Sequence, residues 1–188
     1  GHMHGAVLLD NLNKPIRPCI LWNDTRSHKE AQRLDELPKV RDISGNIVFP
    51  GFTAPKLLWV KNNEPDLFKK IKTAVLPASY LNTWLIGAAF ADMSDCAGTS
   101  WLDVKLRKWS EHLIASGGMQ IEQMPKLVEG NQIAGQIRSD LASELGFPKD
   151  VVIVGGAGDN AAAACGVGAI NEGQGLLSLG TSGVLLIS

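Results

Sequence analysis

The stretch that decides the fold reads Val151-Val152-Ile153-Val154-Gly155-Gly156-Ala157-Gly158-Asp159-Asn160. Four branched apolar residues in a row predict a strand that is buried on both faces, and the glycines end it. Ala161 to Ala164 are strong helix formers, so we expect a helix to begin just past Asp159. Asp159 and Asn160 thus stand at a strand-to-helix turn, the position at which ligands bind in open α/β sheets.

This turn has three interpretations. The residues from Gly156 to Ala161 fit the dinucleotide fingerprint G-x-G-x-x-G/A, but the next apolar run, Gly175 to Leu179, is not followed by the acid that would hold a ribose. The second interpretation takes Asp159 as a general base in a glycine-walled pocket. The third takes Asp159 as a helix cap and nothing more. We favour the general base and keep the cap as the alternative.

Composition narrows the class of protein. The chain has 188 residues, 45% hydrophobic and 20% charged, which is typical of a globular protein. A net charge of −1 gives no electrostatic argument for nucleic acid or an anionic membrane as a partner. No apolar run approaches transmembrane length. Cys19, Cys96 and Cys165 are far apart and form no zinc pattern, so we expect buried or half-buried free thiols in a reducing cytoplasm.

The rest of the chain alternates short strands and helices. Ala6 to Asp10 and Ile16 to Trp22 are expected to form a hairpin, followed by a helix to Leu37 that Asp24 or Thr25 caps. Trp22, at a strand end, is either a pocket wall or a core residue. Further expected elements are loops at 45–56 and 92–99, a strand at 132–137, and helices at 57–60, 80–86, 110–115 and 139–145.

A second glycine-rich turn lies near the end of the chain. Strands at 175–179 and 184–187 flank Gly180-Thr181-Ser182-Gly183, which predicts a hairpin. Its backbone N–H groups and hydroxyls are suited to cradling a phosphate, and a plain hairpin turn is the alternative.

Six motifs in this order resemble the FGGY family of carbohydrate kinases, and the resemblance covers essentially the whole chain. They are Met3-His4-Gly5, Leu21-Trp22-Asn23-Asp24-x-Arg26, Pro50-Gly51-Phe52-Thr53-Ala54-Pro55-Lys56, Met93-Ser94-Asp95-x-Ala97-Gly98-Thr99, Gly155-Gly156-x-Gly158-Asp159-Asn160 and Ser178-Leu179-Gly180-Thr181-Ser182-Gly183.

The resemblance implies an α/β protein with an actin-like (ribonuclease H-like) ATPase fold. Residues 1–170 would be most of the first domain, and residues 171–188 the opening hairpin of a second. It also implies ATP and Mg²⁺ as cofactors and D-xylulose as the sugar, although no metal ligand can be assigned in this chain. Asp159 would be the catalytic base. Met3, His4 and Asn160 would contact the sugar, Trp22 would wall its site, and Gly180, Thr181 and Ser182 would meet the phosphates of ATP.

The sequence also departs from the family pattern. The family's first phosphate loop, the acid near Mg²⁺ and most of its second domain have no counterpart here, so we expect the chain alone to be inactive and its open strand edges to self-associate, for example as a homodimer. His2 stands where the family often has Gln, so residues 1–3 could also be a tag remnant. Ala78-Ser79 replaces a Lys-Asp pair. The alternatives are a ribulose, gluconate or glycerol type of kinase, and a non-catalytic actin-like nucleotide-binding protein.

Overall fold

The structure, a computed structural model, describes residues 2–180 and 183–188. Helices and strands alternate along these residues. The helices are α1 (His28–Asp35), α2 (Val40–Ser44), α3 (Thr53–Asn63), α4 (Pro65–Phe68), α5 (Pro77–Ile86), α6 (Met93–Cys96), α7 (Glu111–Ser116), α8 (Ser139–Leu145) and α9 (Asp159–Val167). The strands are β1 (Val7–Leu9), β2 (Thr73–Val75), β3 (Phe90–Asp92), β4 (Leu102–Asp103), β5 (Lys108–Trp109), β6 (Lys126–Val128), β7 (Ile133–Gln136), β8 (Val152–Val154), β9 (Gly175–Leu179) and β10 (Gly183–Ile187).

Each of these strands has a single partner strand within the described residues. β3 and β6 run parallel, with Phe90 opposite Lys126, while β1–β2, β4–β5, β7–β8 and β9–β10 are antiparallel pairs. The α/β class is therefore confirmed.

The main hydrophobic core lies between β1, α1 and α3. Its members are almost fully buried and include Leu8, Ile20, Leu57, Val60 and Trp101. Ala31 and Leu34 on α1 pack into the same cluster, which agrees with the apolar face expected for that helix. This core fixes the start of the chain against α3, and the residues just before β1 are thereby held close to the start of α3. No helix among the described residues is long and apolar enough to span a bilayer.

The strand of the fold-deciding stretch differs from the prediction. Val152 and Val154 are 46% and 45% exposed, so β8 is not buried on both faces. Alternate side chains face opposite sides of a strand, and Val151 and Ile153 are half-buried, with Val151 packed against the cluster of Ile137, Leu141 and Ala142. Within the described chain β7 is the strand that adjoins β8, so the other edge of β8 is open. The apolar run therefore agrees with the expectation of an open edge and contradicts the expectation of a buried strand.

The first hairpin is weaker than expected. After β1 the chain returns only through isolated bridges from Ala6 to Ile20 and from Leu9 to Pro15, since Pro15 and Pro18 cannot donate backbone hydrogen bonds to a ladder. The cap expected at Asp24 or Thr25 is wrong, because α1 follows Ser27 and the Asp24 carboxylate instead pairs with Arg26.

Two segments predicted as loops contain helices. Residues 92–99 form α6 and one turn of 3₁₀ helix, because the Asp92 carboxylate accepts hydrogen bonds from the N–H groups of Ser94 and Asp95. Residues 45–56 are loop-like only as far as Phe52, because α3 begins at Thr53. Cys165 is exposed rather than buried, whereas Cys19 is half-buried and Cys96 is buried, and all three thiols are free.

Several predictions are confirmed. α5 ends at Gly87 and α8 at Gly146, both in the left-handed conformation that glycine adopts at low cost. α7 follows Ser110, whose hydroxyl accepts from the N–H of Leu113. α9 begins at Asp159, and β9 pairs with β10 as a hairpin.

Candidate functional site

The centre of the site is the turn between β8 and α9. Gly158 precedes the helix with an extended backbone, and Asp159 is its first residue. The Asp159 side chain is exposed, and its Oδ1 accepts a hydrogen bond of 2.8 Å from the N–H of Asn160. The first turn of a helix attracts negative charge, so this position suits a working carboxylate.

Met3 reaches this turn from the other end of the sequence. A Cβ atom at Gly158 would lie 3.0 Å from the Met3 methyl carbon and 3.1 Å from its sulfur, so the glycine lets Met3 approach the turn closely. Asn160 Nδ2 lies 3.9 Å from Met3 Sδ, across 157 positions of sequence. The structure therefore brings Met3 to the turn that carries Asp159 and Asn160.

His4 is held in one orientation beside them. Its backbone is left-handed with φ 63°, its ring packs on Phe52 at 4.8 Å between centroids, and its carbonyl accepts from Thr53 Oγ1 at 3.2 Å. Nδ1 lies 3.0 Å from the carbonyl oxygen of Gly98. A Cβ atom at position 98 would overlap the imidazole, so Gly98 is required for the ring to sit there.

The protonation of His4 follows from these contacts. Burial lowers the pKa of the His4 imidazole, opposed by the hydrogen bond to Gly98 and by the charge of Asp159. A carbonyl oxygen only accepts, so Nδ1 carries the proton in the contact with Gly98. In the neutral ring Nε2 is then an acceptor, which is the form suited to a hydroxyl-bearing ligand.

Asp95 is a buried acid against the same turn. Its Cα lies 3.5 Å from the position of a Cβ atom at Gly158, and the residue is fully buried. Neither carboxyl oxygen has a hydrogen-bond partner among the described residues. Burial raises the pKa of the Asp95 carboxyl to about 7, and the Asp92 and Asp159 carboxylates act in the same direction. The sequence analysis gave residues 92–99 as a loop and as part of a family motif, and it assigned no role to Asp95.

Lys56 is a further residue that the sequence analysis did not assign. It is fully buried, and its ammonium donates to the carbonyl oxygens of Pro50, Gly51 and Phe52. Burial lowers the pKa of this ammonium to about 8, with Asp24 acting in the opposite direction. Lys56 thereby holds the turn that carries Phe52, the aromatic partner of His4. Its signal was a lysine in the first turn of a helix, where the macrodipole does not favour a cation.

Trp22 lies at the edge of this group. Its side chain is 54% exposed, so it is not a core residue. Its carbonyl oxygen lies 2.8 Å from the position of a Cβ atom at Gly51, the residue before Phe52. The structure thus places Trp22 beside the turn that supports His4, and its role as a pocket wall stays a prediction.

The second glycine-rich turn is only partly described. Gly180 is exposed at the end of β9, while Thr181 and Ser182 lie outside the described residues. Their predicted contact with phosphates therefore stays a prediction.

The site combines an exposed carboxylate at a helix start with a carboxamide, a neutral imidazole and a thioether. These groups suit recognition of a small hydroxyl-rich ligand and removal of one of its protons.

Comparison with solved structures gives the class of protein. The "xyloylose kinase" of Brucella ovis superposes with a TM-score of 0.95 at 57% identity, covering 98% of this chain and 38% of that one. The gluconate kinase of Lactobacillus acidophilus gives 0.91 at 26% identity, with the same coverage. The fold is that of actin-like carbohydrate kinases.

The family follows from the sequence comparison. The model of the FGGY family of carbohydrate kinases, N-terminal domain, matches residues 1–166. The chain belongs to the FGGY family of carbohydrate kinases. A xylulose kinase of Klebsiella pneumoniae is 48% identical over 185 residues, which cover 98% of this chain and 38% of that protein. The chain thus spans well under half the length of the relatives it matches.

Proposed function

We propose that this chain is part of an ATP-dependent sugar kinase that phosphorylates D-xylulose to xylulose 5-phosphate. The observation that carries the proposal is the convergence of Met3 and His4 with the Gly158–Asn160 turn. Met3 contacts Asn160 and lies beside Gly158, the two residues that flank Asp159, so two distant segments of the sequence meet at this turn. The identity of 57% to the Brucella ovis protein, against 26% to the gluconate kinase, favours the pentulose over gluconate.

In this proposal Asp159 is the general base. Its carboxylate accepts the proton of the terminal sugar hydroxyl as the hydroxyl oxygen forms its bond to the γ-phosphorus of ATP. The bond from that phosphorus to the bridging oxygen breaks, and ADP leaves with the electron pair. Most of the catalysis of such a transfer comes from positioning and charge stabilisation.

The other site residues bind the sugar. His4 Nε2 accepts from one hydroxyl, since Nδ1 is engaged with Gly98. Asn160 both donates to and accepts from hydroxyls. Met3 and Trp22 supply apolar walls, and Trp22 is free to do so because more than half of its surface is exposed.

The binding of the ATP phosphates is proposed to involve a turn of which the structure describes only part. Gly180, Thr181 and Ser182 are proposed to contact the phosphates of ATP through backbone N–H groups and hydroxyls. Among residues 2–180 and 183–188 no three acidic, histidine or cysteine side chains cluster as metal ligands. We therefore assign no Mg²⁺ ligand among these residues and derive no step through the metal.

We further propose the two-domain division at residue 170, a cytoplasmic location and a homodimer. In the isolated 188-residue chain, the open edge of β8 and the exposed β9–β10 hairpin, with Leu179 and Leu185 at 78% and 69% exposure, are the surfaces expected to self-associate.

The test uses the full-length protein that carries this segment. Turnover is followed as ADP formed from ATP with D-xylulose, D-ribulose, gluconate or glycerol. Asp159→Ala is expected to lower turnover at least about 10²-fold with little change in the KM for ATP. The control is Asp150→Ala, an exposed carboxylate in the preceding loop, which should keep normal turnover. Near-normal turnover of Asp159→Ala would remove Asp159 from the catalytic role.

A further inference from the structure

A short hydrogen-bond chain links α6 to the turn before α9. The Asp92 carboxylate accepts from Ser94 N–H at 2.9 Å, from Ser94 Oγ at 2.6 Å and from Asp95 N–H at 3.0 Å. Ser94 Oγ in turn accepts from the backbone N–H of Gly158 at 2.9 Å, across 64 positions of sequence. Asp92 is only 4% exposed, so this series of hydrogen bonds ends at a buried carboxylate.

The donor and acceptor in each of these hydrogen bonds follow from the chemistry of the groups. A hydroxyl has one proton to donate, and the Ser94 proton goes to the Asp92 carboxylate. The lone pairs of Ser94 Oγ therefore face the Gly158 N–H. Hydrogen bonds in such a series polarise and strengthen one another. Gly158 is thus held by a rigid acceptor.

The position of Asp159 depends on that anchor. The hydrogen bond of its side chain within the described residues goes to the next N–H along the chain, so its carboxylate moves with the local backbone. Gly158 is also confined between Met3 and the Cα of Asp95. Van der Waals contacts limit how far this glycine moves, but a hydrogen bond to its N–H also fixes the orientation of the peptide plane.

We propose that Ser94, oriented by Asp92, is a positioning residue for the base Asp159, an inference that rests on the proposed kinase function. Ser94 touches neither sugar nor phosphate in this assignment. Ser94 acts through the peptide group of Gly158, because that group sets where α9 begins. The start of α9 in turn sets the position of the Asp159 carboxylate.

The test compares Ser94→Ala with Ser116→Ala in the full-length protein. Ser116 also makes one side-chain hydrogen bond, to the carbonyl of His112 at 2.8 Å, on a helix that carries none of the site residues. Ser94→Ala is expected to lower kcat about 10- to 100-fold, because small misplacements of catalytic groups have effects of this size. The KM for ATP should stay within about twofold, and Ser94→Thr, which keeps the hydroxyl, should restore most of kcat.

Hydrogen–deuterium exchange supplies a readout that does not depend on activity. In Ser94→Ala the peptide containing Gly158 should exchange about tenfold faster, since one hydrogen bond is lost, and Ser116→Ala should leave it unchanged. Unaltered exchange at Gly158 together with unaltered kcat would overturn the proposal, as would equal kcat losses in both variants. If the wild-type protein phosphorylates none of the sugars, the proposed function fails. The exchange data then still decide whether Ser94 holds the turn.

Discussion

Replacing Asp95 by asparagine is expected to change the pH dependence of stability. The Asp95 carboxyl has a pKa of about 7 in the folded chain, against 3.8 for an unperturbed aspartate. The folded state therefore holds this proton more tightly than the unfolded state. As pH rises from about 4 to about 7, the Asp95 carboxyl ionises in the unfolded chain but stays protonated in the folded chain. This lowers the free energy of the unfolded state, so the free energy of unfolding falls.

The size of the effect follows from the shift. Roughly three pKa units at about 1.4 kcal/mol each give a contribution of about 4 kcal/mol by pH 8, of which about 2.5 kcal/mol develops between pH 5 and pH 8. Asparagine has nearly the same shape and does not titrate. The free energy of unfolding of Asp95→Asn, relative to wild type, should therefore rise by about 2.5 kcal/mol across that interval.

Urea unfolding followed by tryptophan fluorescence at several pH values measures this difference. The slope with pH is diagnostic, because any constant cost of burying an amide cancels. Asp66→Asn serves as the control, since that carboxylate is 90% exposed and should give a difference flat to within about 0.5 kcal/mol. Parallel pH curves for Asp95→Asn and wild type would refute the idea that Asp95 is a buried acid with a raised pKa.

Three further predictions concern the site and its support. His4→Ala in the full-length protein should weaken binding of D-xylulose more than binding of ATP, as measured by paired calorimetric titrations; equal losses would argue against a sugar contact. Lys56→Met should lower the free energy of unfolding by about 2 kcal/mol, because three carbonyl groups lose their donor. The control is Lys69→Met, because the Lys69 side chain is 74% exposed, and it should change the free energy of unfolding by less than about 0.5 kcal/mol in the same chemical denaturation. Similar losses for both lysines would contradict the structural role of Lys56. The 188-residue chain alone should form no ADP from ATP, Mg²⁺ and D-xylulose, and turnover of roughly 1–100 s⁻¹ would contradict this.

The sequence predicted the elements whose signals are local. The helix at Asp159 follows from alanines after a glycine turn, and α8 follows from its terminal Gly146. Met3, His4, Asn160 and Asp159 were grouped through the family resemblance, and the structure places them together. The burial of β8 was predicted wrongly, since an apolar run reports its preference for burial but not which of its two faces is covered.

The residues that were missed act through contacts that no local pattern shows. Asp92 was predicted to lie in a loop, although an aspartate before a short polar run is a good N-cap. Asp24 resembles a cap equally well, but its carboxylate is taken by Arg26. Ser94 and Asp95 gain their importance only from Gly158, which lies 64 positions beyond Ser94. Such distant pairings are set by the tertiary fold.

The contact between Met3 and Asn160 spans 157 positions, nearly the whole chain. Closing so long a loop costs entropy before any contact compensates it, so such contacts form late in folding. During synthesis at roughly 5–20 residues per second, Asn160 is made on the order of 10–30 s after Met3. Until then Met3 lacks the turn that it packs against. The nascent chain therefore carries half of the proposed sugar site, which is completed only after α9 leaves the ribosome.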